Sequence, residues 1–173
     1  MRIVAGQWKG RRIVAPPGTQ VRPTLDRVRE AWMSILQLHL PGARVLDLYS
    51  GSGALGLEAL SRGARSADFV DNSARSLEAL KANIDSLGAG DLARVHRAQS
   101  LRFVQTLARG AYDVTFADPP YAEGEAKKLA EVWINTPFSA ILSVEHARGA
   151  EMPPGGDTRK YGTASITIYR SAE

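Results

Sequence analysis

From residue 43 onward the sequence alternates short apolar runs with amphipathic segments, and this alternation constrains the fold more than any other feature. ARVLDLY reads as a strand, GALGLEALSRG as a helix closed by Gly63, and SADFVD as a second strand. SARSLEALKANIDSLG is a helix capped by Ser73 and ended at Gly88, followed by the strand ARVHRAQ and the helix LRFVQTLARG. YDVTFAD, GEAKKLAEVWIN and SAILSVEHA repeat the strand–helix–strand pattern. Parallel strands need crossover connections, so repeated strand–helix units imply a parallel sheet with helices on both faces. The end departs from the pattern: DTRKYG and ASITIYRS are joined by a tight turn, which makes them antiparallel at their connection. The expectation is an α/β fold, a doubly wound and mostly parallel seven-stranded sheet with one antiparallel strand. Ligands of such sheets bind beyond the carboxyl ends of the strands.

Ahead of the alternating region, RIVAGQWKGRRIVAP reads as a small basic β-hairpin with Trp8 near its tip, and APPGTQVRP as an extended linker. A helix follows, with Thr24 as its N-cap, Asp26 in its first turn and Leu25, Val28, Trp32, Ile35 and Leu36 on the face toward the body. The chain thus divides into an N-terminal basic extension, 1–40, and a main domain, 41–173. Charge follows the same division. Residues 1–30 hold seven basic and two acidic side chains, leaving fifteen against sixteen for the rest. A basic arm on a near-neutral body is the electrostatic footprint of phosphate binding, and equally of a solvated basic surface. No apolar run is long enough to cross a bilayer and the N-terminus lacks the apolar centre of a signal peptide, so no membrane contact is expected. Zero cysteines fit a cytoplasmic location and remove thiolate metal sites; His39, His96 and His146 are scattered, so no metal is expected.

DLYSGSGALG follows the first strand and opens the first helix, spacing Gly51, Gly53 and Gly56 as G-x-G-x-x-G. Glycines there let the backbone turn sharply and bring helix-start amides close to a ligand. Asp71 ends the second strand, where a carboxylate can grip both hydroxyls of a ribose. The motif alone does not separate a nicotinamide or flavin dinucleotide from S-adenosylmethionine. Asp47, just before the loop, suits the cationic amino-acid end of S-adenosylmethionine; it could also simply hold the loop through backbone amides.

The tetrad Asp118-Pro119-Pro120-Tyr121 ends the fourth strand. The exocyclic amine of a nucleobase is a weak nucleophile, because its lone pair is delocalised into the ring. A carboxylate and a backbone carbonyl accepting its two N–H bonds would orient it and stabilise the charge that develops on attack. Asp118 and the Pro119 carbonyl supply such acceptors, consecutive prolines keep the chain extended, and Tyr121 offers an extruded base a stacking face. Methylation of a pyrimidine carbon normally requires a covalent nucleophile, usually a thiolate, which this chain lacks. An amine is therefore the expected acceptor, although the tetrad does not choose among guanine, adenine and cytosine.

Taken together, DLYSGSGALGLEAL, DPPY and RIVAGQWKGRRI with RPTLDRVREAWMSIL resemble the RsmD family of bacterial rRNA methyltransferases, over nearly the whole chain. The resemblance implies a Rossmann-like class I methyltransferase, monomeric, that uses S-adenosylmethionine to methylate guanine N2 in 16S rRNA of the small ribosomal subunit. By the same resemblance, Asp47, Ser50, Gly51, Ser52, Gly53, Asp71, Asn72, Gln99 and Ser100 would bind the cofactor, and Asp118 to Tyr121 would hold guanine. Gln99 departs from the Asn or Asp common in relatives at its position, and Ser73 from their Asp. Arg2, Lys9, Arg11, Arg12 and Arg22 would meet rRNA phosphates, with Trp8 stacking on a base. A DNA amino-methyltransferase, a nicotinamide oxidoreductase and a non-catalytic RNA-binding assembly factor remain the rival readings.

Overall fold

Strand β1 (Arg44–Leu48) is buried at every position after the first, as a strand covered by helices on both faces must be. In the computed structural model, which describes residues 1–18, 23–121 and 124–172, it lies at the centre of one sheet. Its parallel neighbours are β2 (Ser66–Asp71) and β4 (Tyr112–Ala117), with β3 (Ala93–Arg97) beyond β2 and β5 (Ser139–Ala147) beyond β4. The last two strands, β6 (Asp157–Tyr161) and β7 (Ala164–Arg170), complete the order β3-β2-β1-β4-β5-β7-β6. Strand β7 runs antiparallel to both β5 and β6, so it alone is reversed, as the helix-free connection requires.

The helices are α1 (Pro23–Leu36), α2 (Ala54–Ser61), α3 (Ala74–Leu87), α4 (Ser100–Gln105) and α5 (Glu125–Asn135). Helix α3 begins and ends where its caps predict: the Ser73 hydroxyl accepts from the Ser76 amide, and Gly88 takes the left-handed conformation that closes the helix. Helix α1 starts at Pro23, so Thr24 lies inside the helix and is not its N-cap. Helix α4 is shorter than its sequence pattern suggests; the Thr106 hydroxyl bonds back to the Phe103 carbonyl as the helix ends.

At the N-terminus the two limbs meet in an antiparallel bridge between Arg2 and Arg12, flanked by backbone hydrogen bonds from Ile3 to Arg11, Gly10 to Ile3 and Ile13 to Met1 at 2.8–2.9 Å. Helix α2 anchors this turn to the body. Glu58, buried, accepts hydrogen bonds from the amides of Val4 and Ala5 and from Arg62 Nε, at 2.9, 3.1 and 3.0 Å. Ser61 donates to the Ala5 carbonyl and accepts from the Trp8 amide. Gly6, at a φ of +90°, runs so close to Ser61 that a Cβ would overlap the helix backbone. Asn83 of α3 holds both the amide and the carbonyl of Val14. Ile3, Trp8, Ile13, Val28 and Trp32 share one apolar cluster with Val45, Phe69 and Ile141 of the sheet. Among the described residues no helix is long and apolar enough to cross a membrane, and no group of side chains forms a metal cluster.

Candidate active site

The carboxyl ends of β1, β2, β4 and β5 converge on two adjoining clefts. Asp47, near the end of β1, is buried and accepts from the Gly56 amide through Oδ2 at 2.9 Å. Gly56 is required at that contact, because a Cβ would strike the Phe69 ring. The chain then turns through Tyr49, which adopts a φ of +54°, and through Gly51 and Gly53, also left-handed, before α2 begins. Asp47 thus holds the loop with one oxygen, while Oδ1 is buried without a partner, and so is Ser50 Oγ. Burial drives the Asp47 carboxyl well above the ordinary range, with Asp118 and Asp71 adding to the effect and the Gly56 amide opposing it. A donor from outside the chain, such as the ammonium of an amino-acid moiety, would meet that acceptor, and a pyrophosphate would not.

On the other side of Tyr49 a cleft of about 260 Å³ is lined by Asp71, Asn72, Gln99, Ser100, Pro120 and Glu125. Asp71 accepts from the Gly51 amide through Oδ2 and from the Ser73 amide through Oδ1, both at 2.8 Å. Each oxygen keeps a lone pair for a ribose hydroxyl. Gln99 occupies the cap position of α4 without a side-chain cap bond and is exposed, so its amide is available to a base. Ser100 is buried and accepts the Tyr49 amide, a bond that fixes the loop. The Tyr49 hydroxyl donates to Glu125 at 2.8 Å, tying the glycine loop to the start of α5.

Asp118 follows directly on β4 and opens into the first cleft, of about 290 Å³, with Asp47, Tyr49, Ser50, Gly51 and Ser52. Pro119 is buried beneath it, whereas Pro120 and Tyr121 are exposed. Sequence reasoning missed the second carboxylate there, Glu145. Strands β4 and β5 pair in register at Ala117 and Val144, so the residues that follow, Asp118 and Glu145, are neighbours. Glu145 is buried, faces the cleft and accepts from the Tyr121 hydroxyl at 2.9 Å. The Asp118 side chain has surface open to the cleft but is crowded by protein on its other sides. That crowding, with the Glu145 charge, pushes its carboxyl up to about 7. Burial likewise raises Glu145, against the opposing effects of Tyr121, Asp118 and His146. A strand ending S-V-E-H, with one carboxylate inside an apolar run beside β4, was the available signal.

The arm borders the same cleft through Met1, Ala15 and Pro16. Arg29 of α1 is buried, donating to the Arg2 carbonyl and the Met1 sulfur, with Nε unpartnered. Trp8 corrects its expected role: the residue is 9% exposed and packed in the core, so it is not a stacking platform. An aromatic at a glycine-rich turn looks exposed until α2 is placed under it. Lys9 and Arg12 are exposed. Arg2 and Arg11 are also exposed, but each guanidinium donates to a carbonyl, of Gly10 and of Ser86 at the end of α3. Arg22 lies outside the described residues.

The family model described as conserved hypothetical protein 95 matches residues 1–170. A ribosomal RNA small subunit methyltransferase D of Haemophilus influenzae is 32% identical over 177 residues, which cover 98% of this chain and 92% of that protein. Among solved structures, the yhhF protein of Escherichia coli superposes with a TM-score of 0.85 at 31% identity, covering 100% of this chain and 99% of its own. The Thermus thermophilus 16S rRNA N2 G1207 methyltransferase, solved with AdoMet and guanosine, has a TM-score of 0.70 at 19% identity over 91% of this chain and 45% of its own. That match speaks to the fold alone.

Proposed function

The chain belongs to the conserved hypothetical protein 95 family, and from that premise we infer that it is an S-adenosylmethionine-dependent methyltransferase of small-subunit rRNA, acting on the N2 amine of a guanine. The observation that carries the reading is the meeting of two sites in one cleft. The Asp47 oxygen that lacks a donor lies across from Asp118, the first residue of an Asp-Pro-Pro-Tyr tetrad.

The donor brings a sulfonium-bound methyl group, so the chain needs no nucleophile of its own. Its residues bind and orient. Asp47 and Ser50 would take the amino-acid end, Asp71 and Asn72 the ribose, and Gln99 the adenine amine. Asp118 and the Pro119 carbonyl would accept the two N–H bonds of the guanine amine and hold its lone pair in line for transfer. The buried Pro119 fixes the elbow, and Tyr121, tethered at its hydroxyl by Glu145, presents its ring to the base. Asp118, ionised before transfer, is placed to receive the proton that the amine then gives up. Lys9 and Arg12, with Arg2 and Arg11, would meet rRNA phosphates from the arm.

Small subunits from cells lacking this activity, incubated with the enzyme and labelled S-adenosylmethionine, test the reading by nucleoside mass spectrometry. N2-methylguanine in 16S rRNA is the expected product. N6-methyladenine, N4-methylcytosine or a carbon-5 product would sink it.

A further inference from the structure

The tetrad explains how an amine is held but not why the base should be guanine, and the second carboxylate addresses that gap. Guanine presents two adjacent donors on its Watson–Crick edge, the N2 amine and the ring N1–H. Adenine and cytosine present one amine beside a ring-nitrogen lone pair. A site for guanine therefore needs two adjacent acceptors, and a site for the other two needs an acceptor beside a donor.

We propose that Glu145 accepts the N1–H of the target guanine while Asp118 holds its N2 amine, so that this carboxylate pair, rather than the tetrad, selects the base. The proposal rests on the guanine-N2 reading above. Four observations support it. Glu145 is buried, yet it lines the cleft that Asp118 enters. In-register pairing of β4 and β5 places the two carboxylates side by side on rigid strands. The Tyr121 hydroxyl engages Oε2 and fixes the plane of the carboxylate, which a group that merely filled space would not need. With Oε2 engaged by the Tyr121 hydroxyl, Glu145 keeps acceptor capacity at its other oxygen, and Asp118 has surface open to the same cleft. Adenine or cytosine in the same pose would set a ring lone pair against Glu145, and a buried site rejects such a mismatch strongly.

The decisive substrate is 2-aminopurine, which keeps the exocyclic N2 amine but has a lone pair at N1. Small subunits reconstituted with rRNA carrying guanine or 2-aminopurine at the mapped position are methylated under single-turnover conditions. The wild-type enzyme should be slower on 2-aminopurine by roughly 100-fold, the range of one buried mismatched polar group. Glu145→Gln, whose amide can donate as well as accept, should narrow the gap to roughly 10-fold or less. Equal wild-type rates on the two substrates would overturn the proposal without any variant. So would a Glu145→Gln enzyme that slows equally on both, which is the result of a purely structural role. Methylation at an amine of a base other than guanine would instead overturn the functional reading and the proposal with it.

Discussion

Two groups of carboxylates in this molecule are built on opposite plans. Under the N-terminal arm, Glu58 is enclosed and fully engaged, with two backbone amides and the Arg62 guanidinium as donors. At the carboxyl end of the sheet, Asp47, Asp118 and Glu145 crowd one cleft, with one Asp47 oxygen lacking any donor. The first arrangement locks a segment in place. The second leaves one Asp47 acceptor without a partner in the chain, on strands stiff enough to hold it there.

The sharpest test of the contrast is at Asp118. Asp118→Ala should lower turnover by about a thousandfold while changing S-adenosylmethionine affinity by no more than a few-fold, measured by single-turnover kinetics and calorimetry. The same group sets the pH profile. Its carboxyl titrates near 7 and must be ionised to accept the amine, so the rate should fall about tenfold per unit below pH 7 and level off above it. Glu145→Gln removes a negative neighbour and moves that inflection to lower pH.

A middle-sized effect belongs to the arm's anchor. Glu58→Ala leaves the Val4 and Ala5 amides unpaired, and should cost about 2–4 kcal/mol in urea unfolding. Its residual folded fraction should still bind S-adenosylmethionine. A variant as stable as wild type but unable to bind cofactor would reverse the proposed division of labour.

The smallest effect falls on the exposed cations. Lys9→Ala and Arg12→Ala should each weaken RNA binding a few-fold and reduce the slope of log affinity against log salt by about 0.7 to 0.9, with the melting temperature unchanged. A loss of stability instead would make them part of the anchor.

The sheet was legible from local pattern. SADFVD and SAILSVEHA read directly as β2 and β5, and Ser73 and Gly88 as the caps of α3, because strand alternation and caps are local signals. The tetrad and glycine loop were legible for the same reason. Glu145, Glu58 and the burial of Trp8 were not, since each depends on what a distant element sets beside it. Glu145 acquires meaning only from the β4–β5 register, and Glu58 only from a contact 54 positions away in sequence. The buried position of Arg29 was hidden in the same way, among the basic residues counted toward the arm's charge.

The anchoring of the arm on α2 also has a consequence for synthesis. Residues 3 to 14 leave the ribosome before their anchor exists, because Glu58, Ser61 and Asn83 are still to be translated. At about 5–20 residues per second the nascent arm waits several seconds, with Ile3, Trp8 and Ile13 uncovered beside their cationic neighbours. Its closing therefore follows α2 and α3, so a segment made earlier is secured later.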